Sequence, residues 1–262
     1  STGVSGIGKS YNSGVITIGE KSQGIYSSNG AAVENEASGK ITGIKNGATG
    51  ILSSNTDLGN TSVITNNGII DLSGDNSIGI YATNNGKQNI INNNEIKVGI
   101  SSASNNPSIG IYSDGVNNSI INNAKINISD KSVGIYSKGG KIELNNGNIN
   151  VGINATGVYT DNNSIVVVAP NAGISLSSNE AVGVYGVNGS RITNNSANIA
   201  IGSGNYGFIL NSGASFENNA LLTLGSNEVL VYSDGGSTIN NNNNINMTGS
   251  NNIAVYSVNG GT

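Results

Sequence analysis

Apolar and polar positions alternate with a period of two in short runs, and the runs recur about every 24 residues along nearly the whole chain. One unit shows the pattern. Ile109-Gly110-Ile111-Tyr112-Ser113 alternates, Asp114 and Gly115 mark a turn, and Ser119-Ile120-Ile121-Asn122-Asn123 forms a second run. Ala124-Lys125-Ile126-Asn127-Ile128 alternates again before the polar turn Ser129-Asp130-Lys131. A helix would place apolar residues every three or four positions, and Gly and Asn are poor helix formers, so the runs predict strands. Three strands and three turns in about 23 residues predict an all-β fold, a right-handed parallel β-helix (β-solenoid). Each coil of it hydrogen-bonds to the next about 4.8 Å along the axis.

The most regular marker is Gly-Ile-Tyr or a near copy of it. It appears as Gly24-Ile25-Tyr26, Gly50-Ile51-Leu52, Gly79-Ile80-Tyr81, Gly110-Ile111-Tyr112, Gly134-Ile135-Tyr136, Gly157-Val158-Tyr159, Gly183-Val184-Tyr185, Gly207-Phe208-Ile209, Leu230-Val231-Tyr232 and Ala254-Val255-Tyr256. Successive third positions are 23 to 31 residues apart, which makes about ten coils of three strands each. The array is expected over residues 24–262, after an irregular or partial N-terminal coil at 1–23. Because a solenoid has no central core and can be cut between coils, the chain reads as one domain and as a piece of a longer one.

Strict alternation points Ile78, Ile80, Ile109, Ile111, Val133, Ile135, Val182 and Val184 inward, with the pairs Ile126/Ile128, Ile149/Val151, Ile199/Ile201 and Leu222/Leu224. It turns the tyrosines outward, beside a column of exposed glycines across which their rings would lie. The Asn-Asn pairs follow a second rule. An apolar residue stands two before most of them, so the first Asn (Asn66, Asn92, Asn122, Asn194, Asn218 and Asn241) should share the inward face. These amides are expected to bond from coil to coil, at corners whose left-handed backbone asparagine tolerates. The ladder should break at Pro170-Asn171, which replaces the pair.

Departures from the period are better site candidates than the period itself. Extra residues fall at 55–60, after one Gly-Ile-Tyr strand, and at 101–107, before another. Both should flank the same outer face near Tyr81 and Tyr112, so the candidate contact residues are Tyr81, Tyr112, Asn55, Asp57, Asn60, Asn105 and Asn106. Aromatic rings supply contact area at little entropy cost, which suits sugars or a protein partner.

Composition narrows the chemistry. With His 0 and Cys 0, imidazole triads, thiolate nucleophiles, disulfides and the usual zinc sites are ruled out. No metal, no cofactor and no enzyme activity is expected. The remaining acids are placed by coil: two positions past the tyrosine column come Asp114, Lys138 and Asp161, a surface charge ladder rather than a catalytic pair. A net charge of −4 with scattered Lys and Arg argues against nucleic acid as a partner. There is no signal peptide or long apolar run, so any export signal or anchor is expected elsewhere.

The repeated Gly-Ile-Tyr-Ser and Asn-Asn-x-x-Ile-x-Ile units resemble passenger repeats of large autotransporter (type V secretion) adhesins of Gram-negative bacteria, above all the very long fusobacterial outer-membrane proteins. The resemblance implies a β-helix passenger displayed on the cell surface by a C-terminal β-barrel outside this chain. It also implies attachment to host or bacterial surface proteins or glycans, or a stalk for such attachment. A polysaccharide-acting β-helix enzyme, a lyase or depolymerase, is the alternative, and a carboxylate cluster in a groove would favour it.

Overall fold

The computed structural model describes residues 2–6, 8–102, 106–177 and 179–262. Among them every regular element is a β-strand, and the strands pair in parallel. Neighbours within a sheet lie three strands apart in the chain, which is the connectivity of a coil with three faces. The result is a β-solenoid of about 10 turns of roughly 25 residues.

Three walls result. The tyrosine sheet has 11 strands, from Thr2–Gly6 to Ile253–Ser257, and the asparagine sheet has 10, from Lys9–Asn12 to Thr238–Asn241. A closing sheet of 8 strands, from Val15–Ile18 to Ile199–Ala200, is resumed by the pair Leu222–Leu224 and Ile245–Met247. Residues ahead of 24, expected to be irregular or a partial coil, supply one strand to each wall. Thr2–Gly6, Lys9–Asn12 and Val15–Ile18 pair with Gln23–Ser28, Ala32–Asn35 and Lys40–Gly43.

The core is a set of inward columns in which like stacks on like. Ile80, Ile111 and Ile135 come from the tyrosine sheet, Ile64, Ile90 and Ile120 from the asparagine sheet, and Ile70, Ile96 and Ile126 from the closing sheet. All are buried, each such side chain contributing about 1.5–3 kcal/mol relative to exposure. Phe208 and Phe216 replace two aliphatics in one coil and meet with ring centroids 4.2 Å apart.

The inward assignment fails at Ile78, Val133 and Val182, which are half-buried on the outside. The cause is a one-residue slip at the position that follows, which is glycine in most coils and Leu230 in one. In the tyrosine sheet the glycine and the residue after it are both buried, and the register passes from Ile78↔Ile109 to Ile80↔Ile111 without a glycine pair. A Cβ on Gly79 would lie 2.5 Å from the Gly110 carbonyl oxygen and 2.9 Å from Ile96 Cγ2, so only hydrogen fits there. Alternation slips by one residue at each of these positions. The glycines lie inside the wall instead of beneath the tyrosine rings. What lies beside the tyrosines on the outer face is a column of Ile78, Val133, Thr156 and Val182, with Ile109 in the same column but buried.

Candidate binding surface

The first asparagines of the six pairs, together with Asn12 and Asn35, form a bonded column inside the wall. Asn12 Nδ2 donates to Asn35 Oδ1, Asn35 to Asn66, Asn66 to Asn92 and Asn92 to Asn122, each over 2.8 Å. Asn122 then turns its amide to the Ala124 carbonyl at 2.8 Å, because Leu144 occupies its register position in the next coil. Val168 follows Leu144, so the interruption covers two coils and not only the one bearing Pro170-Asn171. Asn194 restarts the column, donating to Asn218 at 2.9 Å, and Asn218 donates to Asn241 at 2.8 Å. Asn241 is exposed on the last strand of its sheet, so it receives this bond at the surface. None of the six ladder asparagines that head an Asn-Asn pair has the left-handed backbone expected of them. That conformation is found at other turn positions, among them Asn29, Asn76, Asn154 and Asn227, while the ladder asparagines lie within or at the end of strands.

The two insertions lie at opposite edges of the tyrosine sheet. Residues 55–61 leave the strand Thr49–Ser54 toward the asparagine sheet, and residues 99–108 enter Ile109–Asp114 from the closing sheet. The strand Ile78–Thr83, which carries Tyr81, runs between these two. Its six residues span about 20 Å, which sets the described parts of the two loops at opposite ends of this face. Their polar groups hold the loops themselves. Asn55 is buried, with Nδ2 donating to the carbonyls of Asn60 and Lys87 at 2.9 Å and Oδ1 accepting the Asp57 N–H at 3.0 Å. The Asp57 carboxylate accepts from the Asn60 side chain at 2.6 Å and from the Gly59 N–H at 2.8 Å, which holds its pKa below the usual value. Across the sheet, Ser101 Oγ donates to the Asn106 carbonyl at 2.9 Å and the Ser102 N–H to Asp75 at 2.9 Å. Asn106 is exposed, and Asn105 lies outside the described residues.

The tyrosines form a half-buried outer column whose rings change attitude along it. Tyr112, Tyr136 and Tyr159 stack with centroids 5.1 and 4.8 Å apart and planes at 12° and 15°. At the two ends of that run the rings turn: Tyr81 stands at 90° to Tyr112, and Tyr185 at 70° to Tyr159. Burial against one another, with Asp114 beside Tyr112 and the neighbouring Tyr136 and then Asp161 beside Tyr159, pushes both phenols up to about 12. Tyr136 is raised by burial first and by Asp161 and Asp114 second. The carboxylates share the column with Lys138, whose Nζ lies 4.0 Å from Asp114 Oδ2, an exposed pair of little energetic weight.

One feature of this face escaped the reading of the repeat. In the coil Tyr206-Gly207-Phe208-Ile209 the aromatic ring leaves the tyrosine column, where Ile209 takes its place, and appears three residues earlier, in the outer aliphatic column. Tyr206 and Tyr232 stand at 88° with centroids 6.4 Å apart, and Tyr256 stacks on Tyr232 at 27°. With Val229 and Ile253 these rings line a cleft of about 200 Å³. The signal was present, since Tyr206 is the only aromatic among the residues that precede the recurrent motif. Among the described residues no group of three or more Asp and Glu is placed to hold a metal ion. No protein-family model, curated protein or solved structure gives a significant match to this chain.

Proposed function

We propose that this chain is an extracellular segment of a bacterial surface adhesin, a rod whose tyrosine sheet touches other cells and whose coils hold that surface away from the membrane. Its place is the outer surface of a Gram-negative cell, anchored through a β-barrel elsewhere in the full protein, and its partners are host or bacterial surface proteins or glycans.

One observation carries the reading: a rigid stack presents a long outer column of half-buried tyrosines beside aliphatic side chains. Coil-by-coil addition extends such a rod without enlarging a core. Aromatic rings fixed on strands offer apolar area and a hydroxyl while losing little freedom on contact. The insertions at 55–60 and 101–107 add loops to a face built of strands, and loops on such a scaffold are where recognition usually resides.

The test is attachment. Beads coated with the segment should adhere to bacterial or epithelial cells more than beads coated with an unrelated β-solenoid, and replacing Tyr112, Tyr136 and Tyr159 together by Ser should reduce that adhesion. Adhesion no greater than the control's would remove the adhesive role and leave only the spacer.

A further inference from the structure

We propose that the step in the aromatic column at Tyr206 and Tyr232 is a binding site for a cationic side chain, arginine or lysine, presented by a protein partner. The inference deepens the adhesive reading by naming a contact and its chemistry.

Ring geometry comes first. In the run Tyr112 to Tyr159 the planes are nearly parallel and about 5 Å apart, so the faces are covered by neighbouring rings and only edges point outward. At Tyr206 and Tyr232 the planes are perpendicular, which makes a corner with an aromatic face on one wall and a ring edge on the other. Val229 and Ile253 complete the lining. The electron-rich face of a tyrosine attracts a positive charge, and an aliphatic floor takes the methylene stem that carries it.

Charge selects the occupant. Residues 192–262 contain no Lys or Arg, and of their three acids Glu217 stands with Arg191 on the asparagine sheet and Glu228 is buried and accepts from the Gly225 N–H, which leaves Asp234 on this face. Asp234 follows Tyr232 by two residues, and its field contributes to the upward shift of that phenol, after burial. One carboxylate oxygen of Asp234 accepts from the Gly235 N–H at 2.6 Å and from Asn259 Nδ2 at 3.0 Å. Among the described residues its other oxygen has no hydrogen-bond donor, which leaves an acceptor for a guanidinium or ammonium. An anion would be repelled by Asp234 beside Tyr232 and would find no Lys or Arg among residues 192–262. A sugar would find two aliphatic side chains where its hydroxyls need partners, whereas a cation on an alkyl stem matches both the faces and the floor.

A blocked pentapeptide containing two arginines is the probe, with a norleucine peptide of the same length and a neutral oligosaccharide as competing ligands. Binding is read from tyrosine ring resonances and by calorimetry on the intact segment. Variants use residues the columns already contain: Tyr206→Thr introduces the residue type of Thr156, and Tyr232→Ile that of Ile209, so the fold is retained and circular dichroism checks it. The arginine peptide should bind, and each variant should weaken it about 10-fold, as loss of a cation–aromatic contact implies. Asp234→Asn should weaken it about 3-fold, and Tyr112→Ile should leave it unchanged. Equal affinity for Tyr206→Thr would reduce the effect to bulk acidity and overturn the site. Tighter binding of the norleucine peptide or the oligosaccharide, or no binding of the arginine peptide, would overturn it as well. Cell adhesion that survives Tyr206→Thr defeats the corner as its contact and leaves the adhesive function standing. A segment that binds the peptide through the corner but adheres to no cell defeats the adhesive function alone.

Discussion

Two asparagine columns run side by side along one wall of the stack, one residue apart in the chain, with nearly the same bond lengths and opposite energetic meaning. In the inner column Asn66 donates to Asn92 and Asn92 to Asn122, both at 2.8 Å and all three buried. In the outer column Asn93 donates to Asn67 at 2.8 Å and Asn123 to Asn93 at 2.7 Å, in contact with water. The inner bonds point toward the C-terminus and the outer ones back toward the N-terminus. Hydrogen-bond geometry therefore does not set the weight of a ladder; burial does. A buried amide left without its partner costs about 1–3 kcal/mol, whereas a solvated one exchanges its neighbour for water. The interruptions agree with this. The inner column gives way to Leu144 and Val168, apolar groups that need no partner, while the outer column borrows Glu34 as acceptor for Asn67 where the next asparagine is missing and shares Asn242 between Asn219 and Glu217.

Both ladders depend on a constant distance between coils, and the largest effect is expected where that distance is broken. A Cβ on Gly110 would meet the Gly134 carbonyl oxygen at 2.5 Å and Ile126 Cγ2 at 3.0 Å. Neither atom is the free end of a flexible chain. Gly110→Ala should cost about 3 kcal/mol or more, beyond ordinary overpacking, and hydrogen exchange should show the loss centred on the coils from Tyr81 to Tyr136. A denaturation midpoint unchanged from the parent would mean that the wall yields and that the ladders are not tied to a fixed spacing.

Asn92→Ala comes next. It removes the acceptor of Asn66 and the donor of Asn122 at once, and both of those amides are buried away from water. A loss of about 1–3 kcal/mol in a denaturant series is expected. Asn92→Leu would copy the chemistry of Leu144 but still strand both neighbours, so it should recover only the packing part.

The repeat was legible because its signals are local and periodic. Strand identity, the three walls and the inner asparagine column follow from alternation and from the apolar residue two places before each pair, as at Ile64 and Ile120. The outward turn of Ile78 was not legible, since the one-residue slip after it belongs to the packing of coil on coil, where a Cβ on Gly79 would meet a carbonyl one coil away, a contact without a sequence neighbour. For the same reason the aligned position of Leu144 was hidden by Asn145-Asn146, which looks like the usual pair but stands one residue past it. Of the candidate surface, the tyrosine column could be read from spacing, while ring attitude could not. Stacking at 12° and crossing at 88° arise from the same residue type under different neighbours.

The outer aromatic run should show itself in alkali. Tyr112 and Tyr159 are held at about 12, above the ordinary 10.0, because burial disfavours the phenolate. Their folded pKa is raised, so the neutral ring favours the fold fully below about pH 10, and this contribution is lost as pH rises from about 10 to 12. Part of the phenolate absorbance should appear only near the upper end of that window, together with loss of β-sheet signal. Tyr112→Phe with Tyr159→Phe should remove that part and flatten the decline in stability.

The smallest effect, and the cleanest test of the comparison, is expected one residue from a large one. Asn123 donates to Asn93 over 2.7 Å, as short a bond as any in the inner column, and the next residue back, Asn122, is buried with both its amide oxygen and its amide nitrogen bonded. If bond geometry governed stability, Asn123→Ala and Asn122→Ala would cost the same. With burial in control, Asn123→Ala should change stability by less than about 0.5 kcal/mol, because water replaces the lost partner, while Asn122→Ala should fall in the range expected for Asn92→Ala. The pair shares a backbone segment, a residue type and a substitution, so strand propensity cancels between them. Equal losses in parallel denaturation would show that the outer ladder carries weight despite its exposure.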